Sequence, residues 1–440
     1  MKKINVIGAG LAGCEAAKAA SRAGIKVDLY EMKPEKRSPA HKSDLFAELV
    51  CSNSLKAARI DSAAGLLKEE ARRLGSLCMQ SAEVSSVAAG GALAVDREKF
   101  SKFITESILS DENITVKCET VSEIPTDCVT IIATGPLTDK ALALNIEKLC
   151  DCGSLSFYDA AAPIVTKESI DMSKAFFASR YDREESGQGD YINCPMNKEE
   201  YERFYSELIS AEVAPLKDFD KPFKVYEGCM PVEVLAKRGE DSIRFGPLKP
   251  VGLRDPRTGH RPWAAVQLRK ENSKGTLYNI VGFQTNLKFP EQKRVFSLIP
   301  GLENAEFMRY GVMHRNTFIN SPKVLNSDLS LKKHNNVFFA GQITGVEGYM
   351  ESALCGIVAG INAVKLLNDE DPLVFPEFTM TGALLNHLFD STVSDFQPMG
   401  ANFGILPPLN EHIRDKKARY AALSARSLEW FDKNIRGENI

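Results

Sequence analysis

The fold of this 440-residue chain is decided by the stretch Ile4-Asn-Val-Ile-Gly8-Ala-Gly10-Leu11-Ala12-Gly13. It predicts a short apolar strand joined to a helix by glycines with the G-x-G-x-x-G spacing of a dinucleotide site. We expect Gly8 to make the tight turn, Gly10 to let the backbone approach a pyrophosphate, and Gly13 to let helix and strand pack closely. Leu11 and Ala12 open the helix, whose N-terminal amides favour phosphate. The stretch therefore indicates a Rossmann-like α/β fold that binds FAD or NAD(P).

An acidic residue stands where such a site needs one. Residues 27–31, Val-Asp-Leu-Tyr-Glu, form the expected second strand. Glu31 ends it about 20 residues after the glycines, where a carboxylate accepts hydrogen bonds from ribose hydroxyls.

Composition limits the other functions. Lys and Arg number 55 against 58 Asp and Glu, a net charge of −3, so contact with a polyanion requires a local basic surface. The ten cysteines lack the paired C-x-x-C spacing of zinc sites, and no metal is expected. Free thiols favour a reducing, cytoplasmic setting. No apolar run suggests a membrane span, and no membrane partner is expected.

Further elements follow from periodicity. An amphipathic helix is predicted from Leu55 to Leu74, another helix near Asp96–Leu109, and a strand near Ile114–Cys118. Residues 128–136 read as a buried parallel strand that ends in a glycine turn.

A second strand–glycine–helix unit occurs late in the chain, at residues 336–349 and onward to about Leu367. A plain NAD(P) dehydrogenase domain does not need it, so it favours FAD and a two-dinucleotide-binding flavoprotein. We therefore predict an FAD-binding domain from residues 1–148 and 316–440, the latter with a helical extension, and a large inserted α+β substrate domain at 149–315. The expected cofactor contacts in the late unit are Gly341, Gln342, Gly345, Val346, Glu347, Gly348 and Tyr349.

Two cysteines have reactive surroundings. Cys51 precedes the predicted helix at Leu55, whose N-terminus and Lys56 favour a thiolate. Cys229 follows Gly228, and Pro231 suits the first turn of a helix. Cys14 and Cys355 lie among Ala and Gly in helical patterns, which is typical of core residues.

A local basic stretch with an aromatic residue is the main candidate for RNA contact. It lies within residues 249–270 and combines phosphate-binding side chains with a ring able to stack on a base. Its members are Lys249, Arg254, Arg257, His260, Arg261, Trp263 and Arg269. A second basic run, 414–419, has the pattern of an exposed helix. Either run taken alone is also typical of a solvated surface.

Five segments together carry a family resemblance: 8–13, Cys51-Ser-Asn-Ser-Leu-Lys56, Gly228-Cys-Met-Pro-Val-Glu233, 341–349 and 396–404. The chain resembles the folate- and FAD-dependent tRNA (uracil-5-)-methyltransferases, the TrmFO family, over its full length. The first and fourth segments are shared with a related, longer flavoprotein family that modifies wobble uridines, whereas the two cysteine segments discriminate. Gly400 is a departure, because the family usually has Asn there.

The resemblance implies methylation of uridine carbon 5 in the T-loop of tRNA. Methylenetetrahydrofolate would donate the carbon, reduced FAD would carry the methylene and act as reductant, and NAD(P)H would reduce the flavin. A thiolate at Cys229 would add to carbon 6 of uracil and make carbon 5 nucleophilic. Cys51 would contact the flavin-bound carbon, as a covalent partner or as an acid–base group. Glu347 and Tyr349 would order the flavin ring or shuttle a proton, although ring packing is as good an account of Tyr349.

Other functions fit part of the pattern. The same chemistry could act on a ribosomal RNA uridine, since every segment above would be shared. A NAD(P)H-dependent flavin oxidoreductase of small molecules would leave Cys229 and the basic stretch without a purpose. A noncatalytic RNA-binding flavoprotein is a further alternative, and it would still bind RNA after Cys229 is replaced by alanine.

Overall fold

The computed structural model describes residues 2–38, 40–151, 155–180, 189–214, 230–392 and 396–435. The strands are β1 Lys3–Ile7, β2 Lys26–Glu31, β3 Ser54–Ala57, β4 Ser86–Val87, β5 Ala92–Val95, β6 Ile114–Cys118, β7 Val129–Ile132, β8 Leu155–Ala160, β9 Ile164–Thr166, β10 Phe176–Ala178, β11 Tyr191–Met196, β12 Ala264–Lys270, β13 Leu277–Ile280, β14 Phe307–Arg309, β15 Met313–Phe318, β16 Ser330–Leu331 and β17 His334–Phe339. The helices are α1 Leu11–Arg22, α2 Ala63–Arg73, α3 Leu77–Val84, α4 Arg97–Leu109, α5 Lys140–Cys150, α6 Lys198–Ser210, α7 Val232–Ala236, α8 Phe289–Phe296, α9 Ser321–Val324, α10 Tyr349–Leu367, α11 Met380–His387 and α12 Lys416–Asn434.

A six-stranded sheet in the order β16-β17-β7-β1-β2-β6 unites the early and late parts of the chain. Its strands pair in parallel except for β16, which is antiparallel to β17. Ile7 lies beside Tyr30 on one side and beside Ile132 on the other. The carboxyl ends of β1, β2, β7 and β17 therefore share one edge, where ligands bind in such sheets. The predicted Rossmann-like α/β fold is confirmed.

Two helices rich in small residues cross against this sheet. A Cβ atom on Gly356 of α10 would lie 2.1 Å from the carbonyl oxygen of Ala12 in α1, so only glycine permits this approach. The contact brings the N-termini of α1 and α10 to the same sheet edge. The 19-residue α10 has the length and mean hydropathy, 1.5, of a membrane-crossing helix, contrary to the expectation that no apolar run has that character. It is 83% buried inside the protein over the tested window, as a core helix would be.

A second, antiparallel sheet has the order β10-β11-β12-β13-β9-β14. Its buried side chains form a separate core that includes Val165, Val266 and Ala305, whereas the first core draws on residues from Ile4 to Cys150 and again from Phe318 to Phe431. One end of β12 reaches the first part of the chain, because the side-chain amide of Asn53 donates to the carbonyl oxygen of Lys270 at 3.0 Å.

The helix predicted from Leu55 to Leu74 was wrong in its first part. Residues 54–57 form β3, which pairs with β5, and α2 begins only at Ala63. Ser62 caps the helix by accepting a hydrogen bond from the amide of Gly65. The pairing of β3 is a contact between distant residues that local periodicity does not encode. The helix at Asp96, the strand at Ile114 and the end of α10 at Leu367 lie where they were predicted.

A buried carboxylate ties the C-terminal helices to α2. Glu70 is fully buried and accepts hydrogen bonds from the amides of Met380 and Thr381 and from the hydroxyls of Thr381 and Ser427. The carboxylate thus joins α2, α11 and α12 at one point.

We expect Glu70→Ala to destabilise the protein by about 3 kcal/mol, because it leaves several buried donors without an acceptor. Thermal unfolding followed by circular dichroism measures this as a lower Tm. The neighbouring Glu69 is a matched control, since it pairs with Arg72 and Arg73 at the surface and its loss should cost less than about 1 kcal/mol. An equal loss of stability in both variants would contradict the prediction.

Candidate active site

A groove opens at the carboxyl edge of the parallel sheet. Four chain segments form most of its wall: the first glycine loop, the end of β2, the turn after β7 and the start of the late glycine unit. Of the predicted cofactor contacts, those in the wall are Gly8, Gly10, Leu11, Ala12, Glu31, Gly341, Gln342 and Tyr349. Gly13, Gly345, Val346, Glu347 and Gly348 lie outside the residues that line the groove.

The first glycine loop has the shape that a pyrophosphate requires. Gly8 has a φ of +102°, and a Cβ there would lie 2.7 Å from the carbonyl oxygen of Ala133. A Cβ on Gly13 would lie 1.8 Å from the carbonyl oxygen of Gly8. A Cβ on Gly10, by contrast, would meet no protein atom within 4 Å. Protein packing therefore leaves the space beside Gly10 open, and the first amides of α1 face a space that fits a phosphate group.

Glu31 holds the loop as well as lining the groove. Its carboxylate accepts hydrogen bonds from the amide of Ala9 at 2.9 Å and from the amide of Lys33 at 3.1 Å. Each oxygen retains acceptor capacity for a ligand hydroxyl. The residues present thus fit a dinucleotide with a ribose near Glu31.

The late glycine unit closes the other side of the groove. Gly341 packs against α1, since a Cβ there would lie 2.7 Å from the Cβ of Ala12. The side-chain Nε2 of Gln342 donates to the carboxylate of Glu347 at 2.6 Å, so Glu347 organises the turn from within. A short 3₁₀-helix, Gln342–Thr344, precedes α10, whose first residue is Tyr349.

Cys51 is hydrogen-bonded to Tyr349, the first residue of α10. The hydroxyl of Tyr349 accepts from the amide of Cys51 at 2.8 Å and from the amide of Ser52 at 3.1 Å, and it donates to Cys51 Sγ at 3.0 Å. Burial, and secondarily the nearby Cys51, raises the pKa of Tyr349 well above its usual value. Tyr349 therefore stays protonated and can donate to the sulfur. Val50 and Tyr349 both line the groove, which places the Cys51 loop at its wall.

The residues after Cys51 anchor it to the second sheet. Asn53 is fully buried, and its side-chain Nδ2 donates to the carbonyl oxygens of Val95 and Lys270 at 3.1 and 3.0 Å. Arg269 donates to Asn53 Oδ1 at 3.0 Å and to Ser52 Oγ at 2.9 Å. The polar part of the Cys-Ser-Asn motif thus holds the thiol in place. Arg269 was wrongly grouped with the RNA-facing residues, because it is buried.

The expected source of positive charge beside Cys51 was also wrong. The motif precedes a strand, not a helix, and Lys56 Nζ instead pairs with Glu351 Oε1 at 2.6 Å. Lys56 also has a left-handed backbone, with φ of +65°.

Three arginines surround the motif. Arg97 donates to the carbonyl oxygen of Leu49 at 2.8 Å, Arg309 donates to that of Val50, and Arg269 holds Ser52 and Asn53. Glu271, the carboxylate within this group, pairs with Arg97. Burial lowers the pKa of Arg269 and Arg309, but guanidinium groups remain charged at neutral pH. The three guanidinium groups favour negative charge near Cys51. Sequence reasoning missed Arg97 and Arg309, which lie far from the motif and in no pattern of their own.

Two of the other cysteines within the described residues lie in the core, as expected. Cys14 and Cys355 are fully buried, and burial raises the pKa of Cys355 to about 11. Cys229 and its Gly228 neighbour lie outside the described residues. Within the described ranges, no group of three His, Cys, Asp or Glu side chains could hold a metal ion.

The basic stretch forms an exposed loop ahead of β12. Lys249, Arg254, Arg257 and Arg261 are exposed, and Arg257 pairs with the buried Asp255 at 2.8 Å. Trp263 is half-buried, with the guanidinium of Arg244 3.8 Å from its ring centroid. None of these residues is among those that line the groove. The structure does not bring these residues to the groove.

Comparisons with known proteins agree with this architecture. The family model described as "Glucose inhibited division protein A" (GIDA) matches residues 3–371. The methylenetetrahydrofolate–tRNA-(uracil-5-)-methyltransferase TrmFO of Acetivibrio thermocellus is 61% identical over 426 residues, with 97% of each chain covered. The protein of the same name from Desulfitobacterium hafniense is 60% identical over 428 residues, again with 97% of each chain covered. The solved structure of Aquifex aeolicus GidA (form I crystal) has a TM-score of 0.71 at 18% identity, covering 99% of this chain and 77% of that one, which indicates a shared fold.

Proposed function

The chain belongs to the GIDA family and, within it, to the TrmFO group, and from this membership and the groove we propose that it methylates carbon 5 of a uridine in the T-loop of tRNA. Methylenetetrahydrofolate is the carbon donor and NAD(P)H the reductant, and the enzyme acts in the cytoplasm. One observation carries the proposal: the hydroxyl of Tyr349, a residue 298 positions after Cys51, donates a hydrogen bond to the Cys51 sulfur at the wall of a dinucleotide groove.

We assign FAD to the groove. Gly8, Gly10 and Gly13 shape the loop for its pyrophosphate, Glu31 accepts from a ribose hydroxyl, and the start of α10 with Tyr349 faces its ring system. When bound, FAD supplies reducing equivalents and carries the one-carbon unit. Residues 1–148 and 316–440 are assigned to FAD binding, and residues 149–315 to the substrate, with the exposed loop 249–263 contacting RNA phosphates.

The two cysteines divide the chemistry at the protein side. Cys229 as a thiolate adds to carbon 6 of uracil, so that carbon 5 attacks the one-carbon unit. The one-carbon unit then leaves its carrier and carbon 5 loses its proton. A hydride that originates from NAD(P)H completes the methyl group, and expulsion of the thiolate restores the ring. Cys51, with the Tyr349 hydroxyl 3.0 Å from its sulfur, exchanges a proton within the groove. Overall, uridine, methylenetetrahydrofolate, NAD(P)H and a proton give 5-methyluridine, tetrahydrofolate and NAD(P)⁺.

The test is nucleoside mass spectrometry of an unmodified tRNA transcript incubated with protein, FAD, NAD(P)H and methylenetetrahydrofolate. We expect 5-methyluridine that disappears when the folate is omitted. A ribosomal RNA fragment is the parallel substrate. Methylation confined to that fragment would move the target, and methylation supported by S-adenosylmethionine alone would overturn the mechanism.

A further inference from the structure

Three aromatic rings form a row that runs from the second core to the surface. The rings of Phe289 and Tyr310 stack with centroids 4.9 Å apart and planes 16° apart, and those of Tyr310 and Phe307 with centroids 5.2 Å apart and planes 11° apart. The ring of Phe307 packs in turn against that of Phe296 in the core, with ring centroids 6.5 Å apart. Phe289, the outermost, is 51% exposed. We call Phe289, Tyr310 and Phe307 the aromatic ladder.

A buried amide fixes the ladder. Gln292 is fully buried, and its Nε2 donates to the carbonyl oxygens of Leu287 and Gly311 at 2.7 and 2.8 Å. Its Oε1 accepts from the amide of Gly311 at 2.8 Å. Gln292 therefore links the backbone at Leu287, near Phe289, to the backbone at Gly311, next to Tyr310. A surface held in this way loses little conformational entropy when a flat ligand binds.

The ladder adjoins the Cys51 loop and also the described residues on either side of the range 215–229. Arg309, adjacent to Tyr310, donates to the carbonyl oxygen of Val50, the neighbour of Cys51. These described residues pair just before the start of α8: the amide of Ala214 donates to Asn286 O, and that of Val232 to Gln284 O, both at 2.7 Å. A substrate base bound beside the Cys51 loop thus has neighbours in reach of Phe289.

We propose that the aromatic ladder is a stacking platform for the unpaired nucleobase next to the target uridine; this rests on the proposed function. A uridine turned out of its stack leaves the adjacent base without a stacking partner, and the half-exposed Phe289 extends a row of near-parallel rings that can replace it. Lys293, exposed and four residues after Phe289 on α8, lies on the same helix face, where it can contact the phosphate backbone.

The test uses flavin-loaded Phe289→Ala and Phe289→Trp, with Phe177→Ala as matched control. Phe307 of the ladder lies on β14, one edge strand of the second sheet. Phe177, which is 38% exposed, lies on β10, the opposite edge strand of that sheet. We expect Phe289→Ala to raise the KM for a T-arm RNA about tenfold at an unchanged kcat, and Phe289→Trp and Phe177→Ala to leave KM within about twofold of the wild type. The flavin spectrum and Tm of all three should match the wild type.

A second readout does not depend on turnover. With 2-aminopurine beside the target uridine, the fluorescence stays quenched on binding to the wild type and rises on binding to Phe289→Ala. An unchanged KM and an unchanged quench in Phe289→Ala overturn the platform even if the wild type methylates. A wild type that quenches but never methylates sinks the proposed function while leaving the platform in place.

Discussion

Replacing Gly13 with alanine is expected to yield a protein that cannot retain flavin and is destabilised by about 3 kcal/mol or more. The new Cβ would lie 1.8 Å from the carbonyl oxygen of Gly8, a backbone atom that no rotamer change can move. Either α1 moves away from β1 or the glycine loop opens, and both changes remove the phosphate-binding geometry. Flavin absorbance after gel filtration and the Tm of the apoprotein measure the two effects.

Gly10→Ala is the informative counterpart. A Cβ there meets no protein atom within 4 Å and its φ of −74° suits alanine, so the apoprotein should keep its Tm within about 1 °C. The methyl group would instead occupy the space that we assign to the pyrophosphate, and the flavin should be lost. Retention of flavin by Gly10→Ala would show that the nucleotide does not pass over this residue.

Cys51→Ala and Cys229→Ala should each lower methylation by about 10³-fold while the protein stays yellow. In Cys51→Ala, the Tyr349 hydroxyl still accepts from the two backbone amides at 2.8 and 3.1 Å, so the loop stays in place. The loss then reports the thiol alone. Cys128→Ser is the matched control, because Cys128 stands just before β7, at the opposite end of that strand from the groove, and it should remain fully active.

The two cysteines can be told apart without the folate. Addition of a thiolate to carbon 6 lets the hydrogen on carbon 5 exchange with water, so RNA labelled with tritium at that carbon releases it. We expect Cys229→Ala to abolish this release and Cys51→Ala to retain it. The opposite pattern would exchange the assigned roles.

The sequence predicted those features whose causes are local. Both glycine units, β6 and the extent of α10 follow from spacing and periodicity within a few turns of chain. The surroundings of Cys51 do not: β3 exists because it pairs with β5, and Arg97 and Arg309 reach the loop from elements far away in sequence. Lys56, a charged residue five positions from Cys51, was a poor guide, since its side chain pairs with Glu351. Electrostatics around a loop are set by tertiary neighbours.

The crossing of α1 against α10 also fixes when the groove can exist during synthesis. Cys51 and Tyr349 are 298 residues apart, so at ribosomal rates of about 5–20 residues per second the early half waits roughly 15–60 s for its partner. Until then β7 lacks its neighbour β17 and α1 exposes its small-residue face. The nascent chain thus offers an uncovered sheet edge before it has anywhere to place its cofactor. Added flavin can therefore stabilise only chains whose synthesis is finished. A truncated chain that lacks the late glycine unit should fail to bind flavin even when its first glycine loop is intact.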